Sequence, residues 1–467
     1  MKTTILFLIL FLALSALAGW ERTYGGSNND WGYSVAQTSD GGFIITGLTA
    51  SFGTGSLDFY LIRTDAYGDT LWTRTYGGSA GDWGYSVAQT SDGGFIITGF
   101  TASFGAGGID FYLVKTDAYG DTLWTRTYGG SGADVGYSVT QTSDGGYIVA
   151  GSTASFGAGN WDVYLVRTDT YGDTLWTRTY GGGSTDHGNS VKQTSDGGYI
   201  VAGGTESFGA GEGDVYLVKT DAVGDTLWTR TYGGGAGDIG NSVAQTSDGG
   251  YIVAGSSFGA GLTDVYLVKT DSVGDTLWTR TYGGCDDDEG YSVAQTSDGG
   301  YIVAGRTESF GAGSGDVYLV KTDAVGDTLW TRTYGGSSTE WGRSVAQTSD
   351  GGYIVAGYTY SFGDTLGDIY LIKTDSLGYT GIEENPPSAK PDAFAISAHP
   401  NPFNSACRIS APMNAKVEIF DIEGLKIGEL PGGEQVWKPE PSAGSGVYLV
   451  RATVGEKEIT KRVVYLK

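Results

Sequence analysis

The chain has 467 residues and a strong excess of acidic side chains: 53 Asp and Glu against 28 Lys and Arg, a formal charge of −25. Nucleic-acid phosphates repel such a surface, so a nucleic-acid-binding role is excluded. Hydrophobic residues (39%) and aromatic residues (13%) are abundant enough to form buried cores. Two histidines and two cysteines, Cys285 and Cys407, are too few for a structural zinc site or a disulfide framework.

The N-terminus has the pattern of a secretory signal peptide. Lys2 precedes an apolar run over residues 5–17, and Ala16-Leu17-Ala18 supplies the small residues that a signal peptidase reads. We therefore predict a signal peptide over residues 1–18. No later run approaches the roughly 18 consecutive apolar residues of a membrane-spanning helix, so we expect an exported protein that is not an integral membrane protein.

Residues 20–380 repeat one motif seven times. Thr-Tyr-Gly-Gly recurs from Tyr24 to Tyr334 at a spacing of 52 residues, except for one step of 50 in the fifth copy. Each copy contains four short β-type runs separated by turn residues, which in the first copy are 33–37, 43–46, 59–63 and 70–76. Four strands in about 50 residues are typical of a propeller blade.

The phase of the repeat predicts how the ring closes. The mature chain opens with a fourth-strand segment, residues 20–24, whereas the last copy stops after its third strand, residues 369–373. If these two segments pair, both chain ends complete the seventh blade and no open edge remains. We predict an all-β chain whose residues 19–380 form a seven-bladed β-propeller of four-stranded blades, closed by the N-terminal strand.

The composition changes near residue 380, because all nine prolines lie between Pro386 and Pro441. Residues 381–394 are predicted to be a Pro-rich linker. Residues 395–467 are predicted to form a small Ig-like β-sandwich, with candidate strands at 408–410, 416–421, 447–453 and 458–465. The negative charge belongs almost entirely to the ring.

The C-terminal region contains several motifs in a fixed order. They are Pro400-Asn401-Pro402-Phe403-Asn404, then Val-Glu-Ile-Phe-Asp-Ile-Glu-Gly from Val417, Ser445-Gly446-Val447-Tyr448-Leu449, and Thr460-Lys461-Arg462-Val463-Val464-Tyr465. This order resembles the type A C-terminal sorting domain of type IX secretion. The resemblance implies export by the type IX machinery and either display on the cell surface or release. An ordinary Ig-like adhesion module is the alternative.

The repeats are similar to a family of short β-propeller repeats in secreted bacterial proteins. The shared text is Tyr-Gly-Gly-Ser, a following Asp-x-Gly, and Asp-x-Tyr-Leu-x-Lys-Thr-Asp. That family carries no defined activity. Asp65, Gly68 and Trp72 also resemble the blade closure of quinoprotein propellers, but no adjacent cysteine pair accompanies them. We therefore expect shared architecture and no cofactor, calcium excepted.

Residues that are constant in all copies are expected to be structural. One Trp per blade, from Trp20 to Trp330, and one Phe per blade, from Phe52 to Phe362, are predicted to pack rather than to bind a ligand. The repeated aspartates are predicted to form turns. One irregular acidic cluster is a candidate calcium site, with a solvated acidic loop as the alternative; its members are Asp286, Asp287, Asp288 and Glu289.

The copies differ mainly in two loops, which leave an antiparallel blade on the same face. That varied face carries aromatic and hydrogen-bonding side chains suited to a glycan or an extracellular protein. Drift in exposed loops is the alternative. The candidate ligand-binding residues are Trp31, Trp83, Trp161, His187, Asn189, Asn241, Glu340, Trp341 and Arg343.

Near-identical blades offer few asymmetrically placed acids, bases or nucleophiles, so we predict no catalytic residue. The sequence favours a secreted or cell-surface binding or adhesion protein. One alternative is a carbohydrate-active enzyme, with paired carboxylates drawn from Asp288, Glu289 and Glu340. The other is a structural surface-layer scaffold without a ligand.

Overall fold

The computed structural model describes residues 19–259, 262–363, 366–381, 396–399, 406–422, 424–440, 443–455, 457–465 and 467. The chain divides into two compact units, Met1–Ile382 and Glu383–Lys467. The predicted signal peptide, nearly all of the predicted linker and the Pro400–Asn404 motif lie outside the described residues. Within those residues every regular element is a strand, and none is a helix that could cross a membrane.

The first unit contains seven four-stranded antiparallel sheets, and each sheet is one blade of a propeller. Blade 1 consists of Asp30–Gln37, Phe43–Thr49, Asp58–Thr64 and Thr70–Tyr76; blade 2 of Asp82–Gln89, Phe95–Thr101, Asp110–Thr116 and Thr122–Tyr128. Blade 3 consists of Asp134–Gln141, Tyr147–Thr153, Asp162–Thr168 and Thr174–Tyr180; blade 4 of Asp186–Gln193, Tyr199–Thr205, Asp214–Thr220 and Thr226–Tyr232. Blade 5 consists of Asp238–Gln245, Tyr251–Gly259, Leu262–Thr270 and Thr276–Tyr282; blade 6 of Asp288–Gln295, Tyr301–Thr307, Asp316–Thr322 and Thr328–Tyr334.

Blade 7 combines both ends of the repeat region, as predicted. Its strands are Glu340–Gln347, Tyr353–Thr359, Asp368–Thr374 and the N-terminal Trp20–Tyr24. Trp20–Tyr24 pairs antiparallel with the third strand, with Trp20 opposite Lys373 and Tyr24 opposite Ile369. The ring is therefore closed by main-chain hydrogen bonds between the two ends of the propeller.

The cores lie between blades. The second and third strands of each blade are almost wholly buried, which explains their continuous β-branched and aromatic composition. Trp72 on the fourth strand of blade 1 meets Phe95 of blade 2 edge to face, with ring centroids 5.9 Å apart. The constant Trp thus packs between blades, as predicted. Phe52 packs on Tyr60 but remains 44% exposed, so the constant Phe covers the edge of the core and is not buried within it.

The repeated aspartates stabilise the turns and the blade junctions. Asp65 accepts hydrogen bonds from the backbone N–H groups of Tyr67 and Asp69, which closes the turn between the third and fourth strands. Asp92 in the Ser-Asp-Gly-Gly turn forms an ion pair of 2.9 Å with Lys115, which is 2% exposed. Equivalent bonds recur around the ring, so most of its acidity is structural.

The first strand of each blade is longer than predicted and contains a β-bulge. In blade 1 it begins at Asp30, which pairs with Thr49, and its register shifts between Gly32 and Ser34, leaving Tyr33 without a cross-strand partner. A Cβ on Gly47 would lie 1.8 Å from the Trp31 carbonyl oxygen, so only glycine allows this close approach. The bulge changes the direction of the residue at position 33 in every copy.

The described residues of the second unit form five strands: Ser397–His399, Cys407–Asp421, Lys426–Trp437, Gly446–Val454 and Lys457–Tyr465. The two predicted strands 408–410 and 416–421 form one long strand, whose register with Lys426–Trp437 shifts between Ala411 and Lys416. Its first part pairs with Ser397–His399 and its last part with Gly446–Val454, so all five strands share one hydrogen-bonded sheet. One buried cluster containing Cys407, Trp437 and Val450 forms the core.

Candidate ligand-binding site

The bulge places one side chain of each innermost strand at the propeller axis. We call these seven residues the axial ring. They line a cavity of about 480 Å³ together with His187 and Ile239. In order of blades, the axial ring is Tyr33, Tyr85, Tyr137, Asn189, Asn241, Tyr291 and Arg343.

The axial ring has an aromatic half and an amide half. The Tyr85 ring lies 5.0 Å from that of Tyr33 and 5.3 Å from that of Tyr137. Burial raises the pKa of these three hydroxyls, so they remain protonated and can donate hydrogen bonds at neutral pH. The Nδ2 atoms of Asn189 and Asn241 donate to the carbonyls of Gly240 and Gly290, which fixes both amides against the next blade.

A second layer of side chains surrounds the axial ring. It consists of one cross-strand pair per blade, formed by the residue two before the axial position and its partner on the second strand. The pairs, from blade 1 to blade 7, are Trp31–Leu48, Trp83–Phe100, Val135–Ser152, His187–Gly204, Ile239–Ser256, Glu289–Arg306 and Trp341–Tyr358. Large aromatic residues thus cluster on blades 7, 1 and 2, and small partners on blades 3 to 5.

The aromatic side of this layer is a packed wall. Tyr358 lies between Trp31 and Trp341, with centroid distances of 5.2 and 5.8 Å and interplanar angles of 24° and 20°. Trp83 continues the wall by packing on Phe100 at 5.4 Å. We call these five residues the aromatic wall. Their mutual stacking holds them rigid, which favours a preformed surface over a mobile one.

The opposite side of the layer is open. A cleft of about 630 Å³ crosses blades 4 and 5, where Gly204 and Ser256 stand in place of the larger residues found in the wall. Blade 5 is the copy that lacks two residues, and its second and third strands pair as far as Gly259 and Leu262 instead of separating into an irregular loop. The cleft and the axial cavity share four lining residues. We call the combined depression the trough; the shared residues are His187, Ile239, Asn241 and Tyr291.

His187 is held in place at the junction of cleft and cavity. Its Nδ1 lies 2.9 Å from Oγ of Ser152, which is fully buried. Burial lowers the pKa of His187, so the imidazole is neutral at pH 7. Trp161 lies beside it, with a centroid distance of 6.2 Å, but does not line either cavity. Because Ser152 has no solvent contact, it positions the imidazole and does not serve as an exposed nucleophile.

Charged residues gather where blade 6 meets blade 7. The Arg343 guanidinium carbon lies 4.2 Å from the Tyr291 ring centroid and 4.4 Å from that of Trp341. The Tyr291 hydroxyl donates to Glu289. Burial raises the pKa of Glu289, against the opposing effect of Arg306 and Arg343. This corner gives the trough its only axial cation, Arg343, among the described residues.

The structure contradicts the prediction that Glu340 contacts a ligand. Glu340 is fully buried, accepts hydrogen bonds from Gly336 N (2.9 Å) and Thr359 Oγ1 (2.8 Å), and occupies the junction position held by aspartate in the other six blades. Asp288 is its fully buried equivalent in blade 6. The pairing of Asp288, Glu289 and Glu340 suggested for glycoside cleavage is therefore not assembled, since only Glu289 faces the trough.

The four residues of the predicted calcium cluster point to different partners. Asp288 accepts from Gly284 N and Ser309 Oγ inside the blade junction, at 2.8 and 2.7 Å. Asp287 accepts from Thr263 N at 2.8 Å, and Glu289 receives the Tyr291 hydroxyl. The backbone N–H of Asp286 donates to Ser309 Oγ at 2.9 Å. Across the described ranges, no three acidic, histidine or cysteine side chains come close enough to hold a metal ion.

Of the residues predicted to bind a ligand, the structure brings His187, Asn189, Asn241 and Arg343 together around the axial cavity. Trp31, Trp83 and Trp341 lie beside it in the aromatic wall and line neither cavity. The prediction did not include the axial tyrosines, which are Tyr33, Tyr85, Tyr137 and Tyr291, or the wall residues Phe100 and Tyr358. When the seven copies are aligned, the axial position forms a column occupied by Tyr, Asn or Arg, in which Asn and Arg stand out as departures and the four tyrosines do not. A bulge that turns this column toward the axis has no signature in the repeat itself.

The second unit contains the remaining predicted motif residues. Tyr448 packs on Trp437 at 5.4 Å, and its hydroxyl donates to the Gly444 carbonyl at 2.7 Å. Gly446 begins the same strand, and Lys461 pairs with Val450 from the last strand. Tyr448 is therefore a core residue whose hydroxyl fixes the turn before its own strand.

Several known proteins resemble parts of this chain. Regulatory protein FlaEY of Caulobacter vibrioides is 29% identical over an alignment of 202 residues, which covers 37% of this chain and 21% of that protein. PorZ, a surface component of the type IX secretion system of Porphyromonas gingivalis, aligns in structure with a TM-score of 0.43 and 12% identity, over 95% of this chain and 60% of PorZ. The Neurospora crassa Pan2 WD40 domain aligns with a TM-score of 0.45 and 10% identity, over 75% of this chain and 97% of that domain. The chain thus spans about a fifth of FlaEY and three fifths of PorZ.

Residues 397–466 match the family of secretion system C-terminal sorting domains. This match confirms the resemblance drawn from the ordered C-terminal motifs. A type IX sorting domain directs its carrier to the cell exterior and implies contact with the secretion machinery. The chain is a secreted or outer-surface protein in which a seven-bladed β-propeller is followed by a type IX C-terminal sorting domain.

Proposed function

We propose that the propeller is a surface-displayed binding module and that the trough binds an oligosaccharide segment of an extracellular glycan. The observation that carries this proposal is the distribution of differences among the copies. Side chains that vary from blade to blade converge on one concave surface, while the turns of the opposite face repeat almost unchanged.

The chemistry of the trough suits a sugar chain. Neutral tyrosine hydroxyls, asparagine amides and a neutral imidazole complement the hydroxyl groups of a glycan. Aromatic edges and faces beside them complement the apolar faces of sugar rings. Rigid support by the aromatic wall reduces the entropy lost on binding.

The dimensions favour a chain of a few sugars over a folded protein. Cavities of about 480 and 630 Å³ fall within the range of small-molecule sites, roughly 300–1,000 Å³. A protein interface instead needs about 800 Å² on each partner and is commonly flatter. The trough extends from the axis across blades 4 and 5, which allows an extended ligand to lie in both cavities.

A glycan array on the full mature chain tests this proposal. We expect saturable binding to a defined class of glycan, and loss of that binding in a Tyr85→Ala/Tyr137→Ala variant. Tyr67→Ala/Tyr119→Ala is the matched control, because these two tyrosines are 58% and 71% exposed on turns away from the axis. Equal loss in both variants, or no binding by the wild-type chain, would overturn the proposal.

A further inference from the structure

Arg343 occupies an exceptional position in this acidic ring. The other six axial residues are uncharged, and Arg343 faces the same cavity between Tyr291 and Tyr33. Elsewhere in the propeller the arginines are mostly ion-paired, as Arg126 is with Asp173 at 3.2 Å and Arg306 with Glu308 at 2.5 Å. Arg343 forms no ion pair with any residue in the described part of the chain.

The Arg343 guanidinium also has unused hydrogen-bonding capacity. One Nη donates to the Tyr358 hydroxyl at 3.3 Å, and its Nε is buried without a hydrogen-bond partner. A guanidinium carries five N–H donors in a planar fork that matches a carboxylate. The stacked faces of Tyr291 and Trp341 fix the plane of this fork, which lowers the entropy lost when it engages an anion.

Glu289 interacts electrostatically with Arg343, but its carboxylate is hydrogen-bonded to another partner. Its carboxylate accepts the hydroxyl of Tyr291 and it does not form an ion pair with Arg343. Within the described part of the chain, therefore, no carboxylate occupies the guanidinium fork. Removing the Glu289 charge leaves the fork more positive and more attractive to an anion.

We infer that Arg343 is a carboxylate-binding subsite, so that the trough selects an acidic glycan containing uronate residues over its neutral counterpart. This inference rests on the proposed function, because it names the class of glycan that the same trough takes. The carboxylate binds the guanidinium fork, and the sugar ring that carries it lies against the axial tyrosines. No covalent step is involved.

Calorimetry on the full mature chain with a glucuronate oligosaccharide and its carboxyl-reduced, neutral counterpart tests the inference. We expect the acidic form to bind roughly tenfold more tightly or better, with an affinity that falls as salt is added. Arg343→Gln should abolish this preference, Arg343→Lys should retain part of it, and Glu289→Gln should increase it. Arg126→Gln, on the outermost strand of blade 2, is the matched control and should leave the preference unchanged.

The outcomes separate this inference from the proposed function. Equal binding of both oligosaccharides, unaffected by Arg343→Gln, would overturn the carboxylate subsite while leaving glycan binding intact. Binding of neither would overturn both. Because Arg343 packs on aromatic rings, the thermal midpoint of each variant is measured as well; a preference lost in Arg343→Gln but kept in Arg343→Lys, at similar midpoints, supports the subsite.

Discussion

Closure of the ring by Trp20–Tyr24 can be tested by mutation, because the same contacts recur at the blade junctions inside the propeller and supply a control. The Trp20 ring meets Phe43 at 5.8 Å, and the Tyr24 hydroxyl donates to the Gly68 carbonyl at 2.7 Å. Trp20→Ala/Tyr24→Phe removes both contacts. In blade 1, Trp72 and Tyr76 make equivalent contacts with the next blade, at 5.9 and 2.7 Å, so Trp72→Ala/Tyr76→Phe is the matched control.

The size of the effect follows from these contacts. Truncating a tryptophan in a core costs about 3–5 kcal/mol, and half-buried Trp20 belongs at the lower end of that range. Loss of the tyrosine hydrogen bond adds about 1 kcal/mol. A total of about 4 kcal/mol, with an unfolding entropy of about 2.1 cal/mol/K per residue over a ring of roughly 360 residues, lowers the thermal midpoint by about 5 °C.

The two variants should differ in which strands unfold locally. Trp20–Tyr24 is joined to its partner strand Asp368–Thr374 by strand pairing and not by a turn, so about 4 kcal/mol lost there speeds hydrogen exchange in Asp368–Thr374 by a factor approaching 1000. The control strand Thr70–Tyr76 is continuous with the chain on both sides, so the control variant should leave exchange in Asp368–Thr374 unchanged. Unaltered exchange in Trp20→Ala/Tyr24→Phe, measured by mass spectrometry, would refute closure by this strand.

Three further predictions concern ionisable groups. Burial raises the pKa of Asp58, so ionisation of this acid lowers the stability of the fold once the pH exceeds about 4, the ordinary pKa of an aspartate. In Asp92, burial is outweighed by hydrogen bonds, which lower the pKa to about 2, so the stability that this carboxylate contributes is lost only below about pH 4. Because three equivalents of Asp58 share its shift, protonation of these acids as the pH falls toward about 4 should raise the thermal midpoint, which should then drop below about pH 4; a midpoint that falls steadily as the pH approaches 4 would contradict this. Glu340→Asp should cost about 1.5 kcal/mol in urea unfolding, because the shorter side chain loses its bond to Thr359, and no measurable cost would count against that role. In a His399→Gln background, the proton NMR titration of His187 should have its midpoint below 6.5, and a midpoint above 6.5 would show that burial does not dominate.

The fold could be predicted from the sequence because each local signal was repeated seven times. A turn such as Ser39–Gly42 or a strand such as Thr70–Tyr76 is ambiguous when it occurs once, but its recurrence at a constant spacing establishes the element and the number of blades. The order of strands within the repeat predicted how the ring closes for the same reason. The C-terminal unit has no repeat, and there two predicted strands proved to be one long strand, Cys407–Asp421.

The site was only partly predictable, because variation identifies surfaces but not the direction of side chains. Asn241 and Arg343 stood out as departures from the column that Tyr33 represents, whereas the tyrosines themselves resembled ordinary strand residues. Glu340 also stood out as a departure, yet its column lies in the buried junctions between blades. Burial of a column depends on packing between blades, which the repeat alone does not specify.

The claim that the trough is the binding surface is tested most directly by hydrogen exchange with and without a bound glycan. We expect slower exchange in the innermost strands of blades 4 to 6 and in the hairpin Tyr251–Thr270, with no change in the Ser-Asp-Gly-Gly turns of the opposite face. Protection confined to those turns, or to the outermost strands, would contradict it.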